Sequence, residues 1–252
     1  RIRWSFFSIT LQQEAYKSLG FTTQRTMRLA QQLYEGVDIK GVGLTGLITY
    51  LRTDSTRIAD EAVQESKAYI TQHFGDDYLG SEKKVGKKKN VQDAHEAIRP
   101  SSVMLTPDEA RNSLEPDQYR LYKLIWERLL CSQMADAQYY VTDVDVACSN
   151  LIFKTKGETQ KFDGFTRVGK GTGKNDDSIL PEMTIGDDLV RLKTTKEQKF
   201  TKPPARYTEA SLVKILEEKG IGRPSTYAPT IATIKNRDYV EVEEKHFRQY
   251  LH

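Results

Sequence analysis

The spacing of apolar residues predicts helices in the first half of the chain, β structure near the middle, and helices again towards the end. Apolar residues three and four positions apart predict helices over 10–19, 23–35, 59–74, 117–134, 209–219 and 225–237. From Tyr139 to Leu192 the period shortens to two and Gly, Asp and Asn interrupt it, which is typical of short strands. Residues 239–250 have the pattern of a hairpin. The predicted fold class is α+β, mostly helical.

Composition excludes several classes of protein. No run of about 18 apolar residues occurs, and the first residues lack the apolar core of a signal peptide, so we expect neither a membrane span nor secretion. Cys131 and Cys148 are isolated, which predicts a reduced cytoplasmic protein without zinc ribbons. The net charge of +3 is compatible with nucleic-acid binding but does not argue for it. The missing initiator Met and the abrupt end predict that both ends are cut ends of a longer protein.

Two loops carry unusual composition. Residues 81–92 are basic, which is typical either of a solvated surface or of an arm that touches a phosphate backbone. Residues 169–178 are rich in Gly, Lys and Asp, but the Gly-Lys-Ser/Thr of a phosphate loop is absent. We interpret them as a hairpin connection.

The stretch Gly46–Ser55 changes within a few residues from apolar to Tyr, Arg, Thr, Asp and Ser. A hydroxyl nucleophile with a cation two residues later is the composition that attack on a phosphate needs. If residues 48–52 are extended, Tyr50 and Arg52 point to the same side. The alternative is a core aromatic followed by a surface arginine.

Three segments together resemble one family. They are Gly46–Ser55, Gln92–Ser101, and Pro203–Leu212 continuing to Gly220–Tyr227. In this order they resemble the active-site segment and two further motifs of bacterial type IA DNA topoisomerases (topoisomerase I, the omega protein), and the resemblance covers about residues 11–240. Residues 1–9 depart from the family pattern, since Phe6-Phe7-Ser8-Ile9 stands where the family usually has a Pro-Phe-Thr-Thr-like run.

The resemblance implies a multidomain segment of the family's toroid. Its expected parts are a first strand of the arch (1–9), a helical domain carrying the nucleophile (10–134), a β-rich arch and hinge (135–200) and the start of a helical base domain (201–252). The implied activity is ATP-independent relaxation of negatively supercoiled DNA through a 5′-phosphotyrosine intermediate, strand passage and religation. The implied partner is single-stranded or negatively supercoiled DNA, with no membrane partner. A monomer located in the cytoplasm with the nucleoid is expected.

The resemblance also implies roles for individual residues. Tyr50 is the expected nucleophile, Arg52 the cation that stabilises the transition state, and His95 a group that contacts the phosphate or orients Tyr50. A metal role for His95 is disfavoured because the segment is not His-Glu-x-x-His. The expected DNA contacts are Asp54, Arg99, Arg206, Thr208, Arg223 and Ser225. Plain helix capping is the alternative for Thr208 and Ser225, and carboxylate pairing is an option for Arg99.

One part of the family's machinery is missing from the sequence. Type IA enzymes bind Mg²⁺ through a Glu and an Asp-x-Asp-x-Glu run in an N-terminal Toprim domain, and no such run occurs here. We therefore expect the Mg²⁺ site to lie outside this chain, and expect the chain alone to bind single strands weakly without relaxing plasmid. The rival hypothesis is a winged helix-turn-helix regulator, for which residues 207–250 have the right outline.

Overall fold

The computed structural model describes residues 5–81, 95–169, 179–243 and 246–249. The helices are α1 Ser8–Leu19, α2 Thr23–Glu35, α3 Asp60–Phe74, α4 Pro107–Ala110, α5 Pro116–Gln133, α6 Glu209–Glu218 and α7 Tyr227–Asn236. The strands are β1 Val37–Ile39, β2 Gly43–Thr45, β3 Gln138–Cys148, β4 Leu151–Phe162, β5 Val240–Glu243 and β6 His246–Gln249. They pair as three separate antiparallel hairpins, β1–β2, β3–β4 and β5–β6. The prediction of a mostly helical α+β fold is confirmed.

The chain divides into two compact units. The first comprises Arg1–Asp136, Gly164–Gly171 and Arg206–His252, and the second comprises Ala137–Asp163 and Thr172–Ala205. The second unit is built on the β3–β4 hairpin, and its described residues 179–205 contain no helix or strand. The β structure predicted around residues 162–168 and 189–192 is therefore wrong, because β4 ends at Phe162 and no partner strand pairs with the later alternation.

Helix α5 forms the main core of the first unit, where it contacts α1, α2, α3 and α4. Its predicted apolar stripe is buried: Leu121, Tyr122, Ile125, Trp126 and Leu129. The polar groups of both aromatic side chains in the stripe form hydrogen bonds. The Tyr122 hydroxyl donates to the Leu105 carbonyl at 2.7 Å, and Trp126 Nε1 donates to the Val103 carbonyl at 2.9 Å. The stripe is core, as the spacing predicted.

A second buried cluster joins the two ends of the first unit. It consists of Ile9, Val213, Tyr227, Ile231 and Phe247. These residues come from α1, α6, α7 and β6, so the C-terminal helices and hairpin share a core with the first helix. This packing places α6 and α7 against α1 and α2, the two helices that precede the Tyr50 segment.

Two helix starts differ from the prediction. Helix α1 begins at Ser8, because the hydroxyl of Thr10 reaches back to accept a hydrogen bond from the Phe7 amide at 3.0 Å. Helix α7 begins at Tyr227 rather than at Ser225. There the Thr226 hydroxyl binds both the amide and the carbonyl of Arg223, which closes a turn before the helix can start.

Some predictions fall outside the described residues. Residues 1–4 lie outside them, and of the predicted first strand Phe6 forms an isolated antiparallel bridge with Ile98. The basic loop lies outside apart from Ser81, and the glycine-rich connection lies outside apart from Gly169. None of the described helices is both long and apolar enough to cross a membrane.

Both thiols are free, as the isolated cysteines predicted. Burial, reinforced by the nearby Glu127 carboxylate, raises the pKa of Cys131 to about 12. Cys148 is exposed on the β3–β4 hairpin. Because the thiolate is the reactive form, Cys131 is inert at neutral pH.

Candidate active site

The segment before Tyr50 pairs with the segment that follows His95. The pairing consists of two backbone hydrogen bonds of 2.9 Å and an isolated antiparallel bridge: Thr49 N to Arg99 O, Ser101 N to Leu47 O, and Ile48 opposite Pro100. The Thr49 hydroxyl adds a bond of 2.7 Å to the Ala97 carbonyl. Two motifs that are about fifty residues apart in sequence therefore lie side by side, and this contact brings Tyr50 and His95 together.

Ser8, in the first turn of α1, holds the loop that follows Tyr50. Its buried hydroxyl oxygen lies 2.6 Å from the Leu51 carbonyl and 2.9 Å from the Thr53 carbonyl, and it accepts a hydrogen bond of 2.9 Å from the Thr53 amide. The Ser8 amide donates to the Thr53 carbonyl at 2.9 Å. One small side chain thus fixes the backbone on either side of Arg52.

Replacing Ser8 with alanine is expected to lower the free energy of unfolding by about 1–3 kcal/mol, because buried backbone groups of this loop lose their partner. Urea unfolding followed by circular dichroism measures the change. Ser18→Ala is the matched control, since the exposed Ser18 hydroxyl only donates to Glu14 and its loss should stay within about 0.5 kcal/mol. Equal stability of the two variants would contradict the anchoring role of Ser8.

Tyr50 is a surface residue between two other rings. Its side chain is 37% exposed, whereas Leu47, Ile48 and Leu51 around it are buried. The ring of His95 lies 5.0 Å away at 43°, and the ring of Tyr34 lies 5.6 Å away at 68°. The Tyr50 hydroxyl has no hydrogen bond within the described residues. The alternative that Tyr50 is a core aromatic is excluded by this exposure.

Arg52 lines a groove between α2 and the start of α7. The groove has a volume of about 610 Å³, and its lining includes Arg28, Gln31, Arg52, Pro224 and Ser225. Within the part of the chain that the structure describes, Arg52 has no hydrogen-bond or ion-pair partner. The backbone bends at Leu51 and Arg52 instead of continuing as a strand, so the predicted same-side arrangement of Tyr50 and Arg52 loses its basis in strand alternation.

Arg99 is held in an internal network. Its Nε and Nη2 atoms donate to the two carboxylate oxygens of Glu96, each at 2.9 Å. Its Nη1 atom donates to the carbonyls of Pro100 and Ser101 at 2.8 and 3.2 Å. Glu96 also accepts a hydrogen bond from the Ala59 amide, just before α3. The carboxylate pairing expected as one option for Arg99 is confirmed, and its contact with DNA stays a prediction.

The predicted residues near the C-terminus have different environments. Thr208 caps α6, since its hydroxyl accepts a hydrogen bond from the Ser211 amide at 3.2 Å, as the capping alternative predicted. Arg206 forms an exposed ion pair of 3.6 Å with Glu243. Arg223 and Ser225 are exposed in the turn before α7, and the Arg223 side chain donates to the Gly222 carbonyl at 2.9 Å.

Asp54 and Arg223 both act on the buried Tyr227. Burial is the largest cause that raises the pKa of the Tyr227 hydroxyl, and the carboxylates of Glu217 and Asp54 raise it further while the Arg223 guanidinium opposes them. Asp54 lies six residues before the first helical residue of α3. One residue of the Tyr50 motif and one residue of the last motif therefore both influence the pKa of Tyr227.

The Glu209 carboxylate, in the first turn of α6, lies at the N-terminus of α2. Its carboxylate accepts hydrogen bonds from the amide and hydroxyl of Thr23, at 2.9 and 3.2 Å, and lies 3.1 Å from the Lys235 ammonium. The Glu209 side chain is almost fully buried. This carboxylate fills the positive N-terminus of α2 and ties it to α6 and α7.

Comparisons with known proteins show the family of this chain. A family model described as DNA topoisomerase matches residues 4–250. The chain belongs to the bacterial type IA DNA topoisomerases. The structure of full-length topoisomerase I from Thermotoga maritima, in a monoclinic crystal form, matches 98% of this chain at 40% sequence identity with a TM-score of 0.82. The chain covers 40% of the length of that Thermotoga topoisomerase.

In this topoisomerase chain, the predicted site residues form pairs rather than one cluster. Tyr50 contacts His95, Arg52 shares a groove with Ser225, and Asp54 and Arg223 shift the pKa of Tyr227 in opposite directions. The predicted site residues outside these pairs are Arg99, Arg206 and Thr208, whose contacts lie elsewhere.

Sequence reasoning missed three residues of the candidate site. Arg28 lines the groove, Tyr34 contacts the Tyr50 ring, and Ser8 anchors the following loop. Only Arg28 carried a signal, because it lies off the apolar face of α2. Nothing in the local sequence distinguishes Ser8 or Tyr34 from an ordinary helical residue.

The described residues do not fit a metal site. No group of three His, Cys, Asp or Glu side chains among them is close enough to hold an ion. The placement of the topoisomerase Mg²⁺ outside this chain stays a prediction, and no chemical step is derived through the metal.

Proposed function

We propose that the chain supplies the nucleophile half of a topoisomerase that relaxes negatively supercoiled DNA without ATP. Tyr50 cleaves one strand, another strand passes through the break, and the first strand is resealed. One observation carries the proposal. Tyr50 is exposed, its hydroxyl has no hydrogen bond within the described residues, and the next two residues of the chain line a groove that also includes Arg28.

The proposed cleavage exchanges one phosphodiester for another. The Tyr50 Oη atom attacks phosphorus, the bond from phosphorus to O3′ breaks, and the tyrosine proton is balanced by the proton taken up at the departing 3′-hydroxyl. The 5′-phosphotyrosine retains the energy of the broken bond. Religation is the reverse attack by the 3′-hydroxyl, so it requires no ATP.

Arg52 and His95 assist the attack in this proposal. A tyrosine hydroxyl is a weak nucleophile at neutral pH and needs neighbouring groups. The Arg52 guanidinium is always charged and can bond two oxygens of the pentavalent phosphorus, where negative charge builds up. His95, with its ring against Tyr50, is placed to hydrogen-bond the phosphate or to orient the tyrosine.

Single-stranded DNA is the proposed substrate of the groove. A volume of about 610 Å³ is within the range of sites that hold small ligands, so it accepts unpaired nucleotides better than a duplex. Arg28 and Arg52 supply the positive charge that phosphates require. Ser225, exposed at the other wall, adds a hydroxyl.

The remaining parts of the mechanism are also proposals. The Mg²⁺ of the complete enzyme would bind residues outside this chain and would supply positive charge there. Residues 135–200 act as the hinge on which the Tyr50-bearing part lifts. The complete enzyme works as a monomer in the cytoplasm, in association with the nucleoid.

Binding of fluorescent oligonucleotides to this chain tests the proposal. The chain is expected to bind a single strand more tightly than the matching duplex, and to leave supercoiled plasmid unrelaxed. With about three phosphates neutralised, the logarithm of the binding constant should fall by about two per tenfold rise in salt. Arg28→Ala should reduce that slope by about 0.7, while the exposed Lys17→Ala, outside the groove, should not change it.

The rival hypothesis of a winged helix-turn-helix regulator predicts a preference for duplex DNA over single strands. Helices α6 and α7 with the β5–β6 hairpin do have a winged helix-turn-helix outline, and they share a core. A regulator would bind duplex more tightly than single strands. Duplex preference would therefore contradict the proposed substrate, and relaxation of plasmid by this chain, free of host enzyme, would contradict the division of the active site.

A further inference from the structure

We infer that Tyr34, at the end of α2, is a positioning residue that holds the ring of Tyr50 in the orientation for attack. The inference rests on the proposed role of Tyr50 as the nucleophile. It adds a residue that the three motifs do not contain, and it assigns to that residue an effect on the rate of cleavage rather than on DNA binding.

The first observation is the contact between the two rings. The Tyr34 ring meets the Tyr50 ring nearly edge to face, with centroids 5.6 Å apart and an angle of 68°. This is the arrangement that aromatic pairs prefer. His95 contacts the Tyr50 ring at 5.0 Å. Because the Tyr50 hydroxyl has no partner among the described residues, ring contacts rather than a hydrogen bond set its direction in the free protein.

The second observation is that the two backbones are locked together. The Leu47 amide donates to the Leu33 carbonyl at 2.7 Å, and Leu33 is fully buried. At Gly46 an added Cβ would lie 2.9 Å from the Tyr34 carbonyl oxygen, closer than real Cβ atoms come. The glycine therefore permits a close approach between the last turn of α2 and the chain leading to Tyr50. The last turn of α2, which carries the Tyr34 ring, is therefore held in a fixed position against the segment that leads to Tyr50.

The Tyr34 hydroxyl is not needed for this role. It has no hydrogen bond within the described residues, and the side chain is 40% exposed. The ring is the part that contacts Tyr50. Phenylalanine should therefore replace Tyr34 with little loss, whereas alanine should release the Tyr50 ring.

Single-turnover cleavage of a labelled single strand by the complete enzyme tests the inference. Tyr34→Ala should lower the cleavage rate at saturating DNA about tenfold, since a misplaced nucleophile loses orientation. The dissociation constant for uncleaved DNA should stay within about twofold, and Tyr34→Phe should restore the rate to within about threefold of wild type. Tyr239→Ala, which removes another exposed tyrosine, is the control for loss of a surface ring.

The outcomes separate this inference from the proposed function. A weaker DNA affinity with an unchanged saturating rate would make Tyr34 a binding platform and overturn the inference, as would a wild-type rate for Tyr34→Ala. If Tyr34→Ala fails to fold by circular dichroism, Tyr34→Leu retains apolar bulk without the aromatic edge and must show the same slow cleavage. A Tyr50→Phe enzyme that still forms a covalent DNA complex would overturn the proposed function instead.

Discussion

Replacing Tyr50 with phenylalanine in the complete enzyme is expected to abolish the covalent DNA–protein complex. The change removes only the attacking oxygen, and the neighbouring rings keep their contacts with the phenyl ring. Without that oxygen no bond to phosphorus can form, so cleavage should fall below detection. A denaturing gel of enzyme incubated with a 3′-labelled single strand measures the complex, because a 5′-phosphotyrosine link leaves the 3′ part of the strand on the protein.

Two controls make the Tyr50 result specific. The variant should bind the uncleaved single strand as wild type does, because Arg28 and Arg52 of the groove are unchanged. Its unfolding midpoint should also match wild type, since the Tyr50 hydroxyl has no hydrogen bond in the described residues. A covalent complex that persists in Tyr50→Phe would place the nucleophile on another residue.

Replacing Arg52 with alanine is expected to lower the rate of cleavage by about 10²–10³-fold, the usual loss when one stabilising donor is removed from a transition state. Arg52 has no partner in the described part of the chain, so its positive charge remains available for the phosphate. Its exposed side chain contributes little to folding, and the free energy of unfolding should change by less than about 0.5 kcal/mol. Single-turnover cleavage at saturating DNA measures the effect.

Arg57→Ala is the matched control for Arg52. Arg57 is exposed in the same loop, but its side chain does not line the groove. Loss of general positive charge would slow both variants alike, whereas transition-state stabilisation slows only Arg52→Ala. A similar rate for the two variants would contradict the assigned role of Arg52. Arg52→Lys should recover only part of the rate, because an ammonium cannot bond two oxygens in the planar geometry of a guanidinium.

Much of the fold could be predicted from periodicity. The prediction of the apolar stripe of α5 was correct, because a buried helix face repeats its apolar residues every three to four positions. The alternating pattern correctly predicted the β3–β4 hairpin. The same pattern wrongly predicted a strand around Leu189, where the residues alternate but have no partner strand. A strand depends on pairing, and pairing is not visible in one segment alone.

The sequence proposes the residues of the candidate site but not their geometry. The sequence motifs indicated Tyr50 and His95 as site residues. The contact between these two side chains, however, depends on the pairing of two segments that are far apart in the chain. The Glu96–Arg99 pair does not follow from its spacing, because opposite charges three residues apart meet on a helix and this segment is not helical. The role of Ser8 could not be predicted either, since it arises from a backbone that arrives more than forty residues later.

The most direct test of the account is to identify the residue that carries the DNA. The covalent complex of the wild-type complete enzyme is trapped, treated with nuclease and digested with trypsin. Cleavage after Lys40 and Arg52 places Tyr50 in the peptide of residues 41–52, and cleavage after Arg28 places Tyr34 in the separate peptide of residues 29–40. The account predicts by mass spectrometry a residual nucleotide on Tyr50 in the first peptide. A nucleotide on the second peptide, or on any residue other than Tyr50, would contradict it.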